Sequence, residues 1–134
     1  MYKKILVSLA LDHGHGFRAM EVARRLKAED GEIIVLHVIE KIPGFAGLYV
    51  TDKNDNEIQR LAEEAIAERI GDQKDATSVI IVGHPGRSIA DHAKEIDADC
   101  IIVGSHKPGL QDFLLGSTAA RIVRHSPCSV HVLR

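Results

Sequence analysis

Residues 104–117 read GSHKPGLQDFLLGS, a stretch bounded by glycines that indicates the fold of this chain. It follows the apolar run 100–103 and precedes a segment with apolar residues at helical spacing that begins at Thr118. A strand that leads through a glycine-rich turn into a helix arranges backbone N–H groups around the positive end of that helix. Such arrangements bind anions, most often phosphate, so the stretch predicts a βα unit with a phosphate site.

The glycines and the proline of this stretch each fit a turn. Gly104 lets the chain leave the strand without a Cβ in the way, and Gly116 lets the backbone approach a ligand closely. Pro108 and Gly109 suit a turn that needs φ near −65° at the first residue and a positive φ at the second.

The polar residues of the stretch suit phosphate binding. Ser117 and Thr118 offer hydroxyl groups that cap a helix or donate to a ligand. His106 and Lys107 place cationic groups where a phosphate would lie. The alternative is that the turn only closes a βα unit and binds nothing.

Strands and helices alternate along the whole chain. Apolar runs predict strands at 5–11, 32–39, 77–82, 99–103 and Ser129–Leu133. Apolar spacing predicts helices at 17–27, 58–70, 88–96 and 118–125, with Gly71 as a C-terminal cap and 40–56 as a long connection. The order indicates an α/β fold, one domain over 1–134 with a doubly wound parallel sheet of five strands and helices on both faces.

Composition excludes several classes of protein. The chain has 134 residues, 45% of them hydrophobic and 27% charged, which is typical of a globular domain. A formal net charge of −2 argues against a nucleic-acid binder. No apolar run is long enough for a membrane span, and the short N-terminal run lacks a cleavage site. The two cysteines, Cys100 and Cys128, show no metal spacing and indicate reduced thiols in a cytoplasmic protein.

The C-terminal third resembles the signature of the universal stress protein family, G-x2-G-x9-G-[ST] followed by a helix and a last strand. The opening YKKILVSLAL, the strand GEIIVLHVIE and the segment 83–96 also look like that family, so the resemblance covers nearly the whole chain. It implies a Rossmann-like sheet, related to adenine nucleotide alpha hydrolases, with strand order 3-2-1-4-5.

Two positions depart from the family pattern. Lys107 stands where the second signature glycine would be, and the spacing from Gly104 to Gly116 is one residue shorter than usual. The first strand of the family often ends in Pro-x-Asp, where this chain has Ser-Leu-Ala up to Ala10. The acidic contact to a nucleotide is then absent unless Asp12 supplies it.

The resemblance implies a binding site for ATP, with AMP or ADP as alternatives, and for the Mg²⁺ that accompanies the nucleotide. The adenine would lie near the end of the second strand, against the backbone of Val38, and the phosphates would lie on the glycine loop. The expected nucleotide-binding residues are Ala10, Asp12, Val38, Val103, Gly104, His106, Lys107, Gly109, Gly116, Ser117 and Thr118.

Histidines offer a second kind of site. His13, His15, His84 and His106 all follow predicted strands at the same edge of the sheet, and imidazole is the commonest transition-metal ligand. The alternative is an ordinary collection of polar loop residues. No H-x3-H spacing supports zinc or nickel, so we expect no metal site.

Enzymatic activity has little support in the sequence. There is no G-x-S-x-G elbow and no identifiable acid pair. We expect no catalytic residues; slow ATP hydrolysis or autophosphorylation at Ser117 or Thr118 stays an alternative.

The last strand, Ser129–Leu133, would lie at an edge of the sheet. An unpaired edge favours pairing with a second chain, and the resemblance points to a homodimer through this strand. The alternative is an edge protected by His131 and Arg134. The expected function is a stress-response switch or sensor that binds adenine nucleotide, with a nucleotide-free dimeric interaction protein as the alternative.

Overall fold

The structure, a computed structural model, describes residues 1–10, 16–40, 52–105 and 115–134. Its elements in chain order are β1 Tyr2–Ser8, α1 Gly16–Leu26, β2 Lys27–Glu40, α2 Asp52–Ile70, β3 Ala76–Gly83, α3 Pro85–Glu95, β4 Cys100–Gly104, α4 Ser117–His125 and β5 Ser129–Leu133. Over these ranges, no helix combines the length and apolar character needed to cross a membrane.

The five strands form one parallel sheet in the order β3-β2-β1-β4-β5. In the centre, Val7 of β1 lies between Val35 of β2 and Ile102 of β4. This confirms the predicted strand order. The winding reverses between β1 and β4, and a crevice beyond the carboxyl ends of those strands is where ligands bind in such sheets.

Two apolar clusters, one on each face, hold the helices to the sheet. Successive strand residues face opposite sides, so Ile5 and Val7 belong to one cluster while Leu6 belongs to the other. The first cluster includes Met20 of α1 and Ile66 of α2. The second includes the α3 and α4 residues Ile89, Ala93, Ala119 and Ile122. The continuous apolar runs of the central strands therefore reflect burial on both faces.

Several element boundaries differ from the predicted ones. β2 begins at Lys27 instead of residue 32, because its polar first part pairs through the backbone, with Lys27 opposite Tyr2. α2 begins at Asp52 instead of residue 58, since a polar first turn leaves no apolar periodicity to read. Of the long connection predicted over 40–56, residues 41–51 lie outside the described residues, and 52–56 belong to α2.

The ends of two helices follow local capping rules. Gly71 has φ of 64° and its N–H donates to the Ala67 carbonyl, which confirms it as the cap that ends α2. α3 begins at Pro85, earlier than predicted, because His84 is its N-cap and its Nδ1 accepts from the Arg87 N–H at 3.5 Å. The cap puts the start of α3 directly after β3, at the carboxyl edge of the sheet.

Candidate functional site

A cavity of about 720 Å³ lies at the carboxyl ends of β1, β2 and β4, and we call it the carboxyl-edge cavity. A volume of this size is typical of small-molecule and cofactor sites. The strand ends contribute Ser8, Leu9, Ala10, His37, Val38, Ile39, Glu40, Val103, Gly104 and Ser105. The helices contribute Gly16, Ala19, Ile58, Pro85, Ile89, Gly116, Ser117, Thr118, Ala119 and Arg121, and His84 precedes α3.

Two hydrogen bonds between neighbouring chain segments fix one side of the cavity. The Leu9 N–H donates to the Leu36 carbonyl at 2.9 Å, and the Nδ1 atom of His37 lies 2.8 Å from the Leu9 carbonyl. Because a carbonyl only accepts, Nδ1 must carry the proton. In the neutral imidazole, Nε2 is then the acceptor atom. His37 thus holds the chain that leads to Ala10 in place.

Ser105 closes the glycine loop at its base. Its N–H donates to the Leu133 carbonyl at 2.8 Å, and its Oγ accepts the Gly116 N–H at 3.0 Å. Ser105 is 8% exposed, the one buried polar residue in the described part of the chain. These two bonds join the end of β4 to β5 and to the start of α4.

The first turn of α4 presents backbone donors to the cavity. The first intrahelical bond runs from the Ala120 N–H to the Gly116 carbonyl, at 2.9 Å. The N–H groups of Ser117, Thr118 and Ala119 precede it and have no acceptor within the helix. All three residues line the cavity, at the positive end of the helix dipole. This turn has the chemistry to bind an anion.

The opposite rim combines apolar and polar groups. Val38, Ile39, Pro85 and Ile89 give the cavity apolar surface suited to a flat ring. Glu40, exposed at the end of β2, is the carboxylate among the described lining residues. A ligand with an apolar ring at one end and an anionic group at the other fits this distribution.

The structure brings most of the predicted binding residues together. Those that line the carboxyl-edge cavity are Ala10, Val38, Val103, Gly104, Gly116, Ser117 and Thr118. The others, Asp12, His106, Lys107 and Gly109, lie outside the described residues.

The cavity residues outside the predicted binding set include His37, Ser105 and Arg121. In the sequence, His37 lies inside an apolar strand, and Ser105 and Arg121 belong to no binding motif. Ser105 adjoins Gly104, so its position in the loop was a usable signal. Arg121 could have been found from its spacing, because it lies four residues after Ser117 on the same side of a helix.

Of the four histidines considered as metal ligands, the structure describes only one. His84 lines the cavity, whereas His13, His15 and His106 lie outside the described residues. Among the residues that the structure does describe, no group of three His, Cys, Asp or Glu side chains is placed to hold a metal ion.

Comparison with known proteins gives one family. The sequence model of the universal stress protein family matches residues 1–134. The chain is 33% identical over 141 residues to universal stress protein A homolog 2 of Coxiella burnetii, covering 99% of this chain and 95% of that protein. It is 32% identical over 163 residues to universal stress protein MJ0577 of Methanocaldococcus jannaschii, covering 100% of this chain and 96% of that protein.

Solved structures agree in fold. The structure of MJ0577 superposes with a TM-score of 0.78 at 28% identity, over 99% of this chain and 96% of that one. A universal stress protein from Archaeoglobus fulgidus in complex with dAMP superposes with a TM-score of 0.66 at 22% identity, over 99% and 98% of the two chains. A universal stress protein in complex with cAMP gives 0.64 at 22% identity, over 99% and 97%. At 22% identity, the likeness to these last two structures shows a shared fold and nothing more.

Proposed function

The chain belongs to the universal stress protein family, and from that premise we propose that its carboxyl-edge cavity binds an adenine nucleotide. Bound nucleotide would make the protein a switch or sensor in a stress response. The observation that carries the proposal is the first turn of α4. Three backbone N–H groups without intrahelical acceptors line a cavity at the reversal point of the sheet.

The distribution of groups in the cavity supports an orientation for the ligand. Adenine would lie on the apolar side, next to the backbone of Val38 and close to Pro85. The phosphates would lie at Gly104 and at the amides and hydroxyls of Ser117 and Thr118. Two related proteins of the same fold were solved with dAMP and cAMP, which are adenine nucleotides.

ATP with Mg²⁺ is the proposed physiological form. Mg²⁺ commonly binds through substrate phosphates and one or two carboxylates, so no all-protein cage is needed. Glu40 is the described carboxylate that borders the cavity.

A homodimer through β5 forms part of the proposal. β5 is the last strand of the described sheet, and its side chains at Ser129 and His131 are exposed. Such an edge presents backbone donors and acceptors that a second copy would satisfy by two-fold pairing.

Binding is tested first on the purified protein. Nucleotide released by denaturation would be identified by chromatography and mass, and apo protein would be titrated calorimetrically with ATP and Mg²⁺. We expect adenine nucleotide in the extract or binding in the micromolar range, about −8 kcal/mol. An empty extract together with a flat titration would refute the proposal and favour a nucleotide-free interaction protein.

A substitution at Gly116 tests whether the nucleotide binds in the carboxyl-edge cavity. Among the described residues, a Cβ at this position would meet the Ser105 Oγ alone, at 4.0 Å, so we expect the Gly116→Val side chain to fit the fold and to take space from the ligand. We expect nucleotide binding to be lost while the dimer and the thermal midpoint stay close to those of the parent. Ser78→Val is the control, since it adds a branched side chain at an exposed position of β3 away from the cavity. If both variants bound nucleotide equally well, the nucleotide would not lie next to Gly116 in the carboxyl-edge cavity.

A further inference from the structure

Arg121 is a cation at the cavity that the predicted binding set does not include. It lines the carboxyl-edge cavity from the second turn of α4, four residues after Ser117 and on the same side of the helix. Four residues correspond to about 6 Å along a helix axis. Arg121 thus adds side-chain donors to the backbone amides of the first turn.

The stem of Arg121 is held against the start of α3. A Cβ at Gly86 would lie 2.8 Å from the Arg121 Cδ, 3.1 Å from its Cβ and 3.2 Å from its Cγ. The lack of a side chain at Gly86 thus makes the room in which the Arg121 stem packs. This contact places the Arg121 stem between α3 and α4.

The surroundings of that gap are positive. α3 and α4 both begin at the cavity, and neither has an acidic residue in its first turn. Their N-terminal ends carry partial positive charge, and Arg87 adds a cation to the first turn of α3. No carboxylate of the described residues forms an ion pair with Arg121. An anion bound in the cavity could therefore pair with Arg121 without displacing a described carboxylate.

We propose that Arg121 binds a phosphate group beyond the first one, so that the site prefers adenosine di- and triphosphates to the monophosphate. The inference rests on the proposed nucleotide function. The amides of Ser117, Thr118 and Ala119 hold one phosphate group, and the guanidinium fork of Arg121 holds the next through paired N–H donors.

Titration of apo protein with AMP, ADP, ATP and inorganic pyrophosphate tests the proposal. Arg121→Met keeps an apolar stem on Gly86 and removes the charge, and Arg121→Lys keeps a charge without the fork. Arg124→Met is the matched control, because it removes an exposed arginine of the same helix that does not line the cavity. We expect Arg121→Met to weaken ADP, ATP and pyrophosphate by about five-fold or more and to change AMP by less than about two-fold. Arg121→Lys should recover part of the loss.

The outcomes separate this inference from the proposed function. Equal weakening of AMP and ATP by Arg121→Met would overturn the inference and leave nucleotide binding standing, as would an unchanged ATP affinity. Parent protein that binds pyrophosphate through Arg121 but no nucleotide would refute the proposed function and keep the phosphate site. Parent protein that binds none of the four ligands would overturn both.

Discussion

Ser105 shows how one hydroxyl group shapes the candidate site. Its Oγ accepts the Gly116 N–H, and its own N–H is bonded to the Leu133 carbonyl. As an acceptor in that bond, the hydroxyl keeps its proton available to donate to a ligand. A single side chain thus closes the loop and offers a donor near the cavity.

Replacement of Ser105 by alanine should cost both stability and binding. The change leaves the Gly116 N–H without its acceptor, at a cost of about 1–3 kcal/mol in the free energy of unfolding. Urea denaturation measures this loss, and calorimetric titration should show weaker nucleotide binding. Ser78→Ala, at an exposed position of β3, is the control and should change neither quantity. A Ser105→Ala variant with the stability of the parent would show that the hydrogen bond contributes nothing.

Cys100 is a buried thiol that we expect to be unreactive in the folded protein. It is 1% exposed in the core beneath α1, and burial raises its pKa to about 11, with smaller contributions from Cys128 and Asp99. Thiolate is the reactive form, so the folded protein holds Cys100 protonated well above neutral pH.

In a Cys128→Ser variant, Cys100 is the remaining thiol, and we expect no labelling by a thiol reagent at about pH 8 until the protein unfolds. Because the folded pKa lies above the unfolded one, the contribution of this group to stability is complete below the unfolded pKa. It is lost as pH rises from there toward 11. Thiolate absorbance in an alkaline titration follows the deprotonation directly. Rapid labelling of the folded variant would contradict the burial of Cys100.

At the level of the elements, Asp99 joins the start of β4 to the start of β1. Its two carboxylate oxygens accept the N–H groups of Lys3 and Lys4, each at 2.9 Å, and its own N–H donates to the Lys4 carbonyl at 3.0 Å. These bonds extend the pairing of β1 and β4 beyond Ile5 and Cys100, where the regular register begins.

Loss of the Asp99 side chain should loosen that end of the sheet. We expect Asp99→Ala to lower the free energy of unfolding by about 1–2 kcal/mol and to speed hydrogen exchange at the amides of Lys3 and Lys4. Asp99→Asn retains one acceptor oxygen and should lose about half as much. Exchange at these two amides that is equal in all three proteins would rule out the role assigned to the carboxylate.

The elements also show what could be predicted from the sequence. Apolar runs such as that of β4 predicted all five strands, because burial of a strand leaves a strong pattern in the sequence. The order of the strands was predicted from the family resemblance, and the sheet confirms it. The first residues of β2 and α2 were not predicted. These segments are polar, so they leave no apolar pattern in the sequence. Val38 was predicted at the site from the family resemblance, and the helical spacing of Arg121 to Ser117 was a usable signal. The role of His37 depends on the Leu9 carbonyl, which only the folded chain brings beside it.

For the whole molecule, the edge at β5 decides whether a second copy can add to the sheet. The Leu133 carbonyl accepts the Ser105 N–H, so Leu133 directs its backbone groups toward the side of β4. Backbone direction alternates along a strand, so His131 and Ser129 also point toward β4. The backbone groups of Val130 and Val132 then point away from the described sheet.

Proline at Val132 should therefore separate assembly from folding. Val132→Pro removes an outward N–H without touching the bonds to β4, so we expect a folded monomer in place of the proposed dimer. His131→Pro, one residue away, would break the pairing with β4 and should instead lower the thermal midpoint. Val132→Thr keeps the N–H and serves as the control that stays dimeric. Analytical ultracentrifugation gives the mass of each variant, and a parent monomer or a dimeric Val132→Pro protein would exclude β5 as the dimer edge. Since the carboxyl-edge cavity lies at the ends of the strands and β5 lies at the side of the sheet, nucleotide affinity should be the same in the monomeric variant.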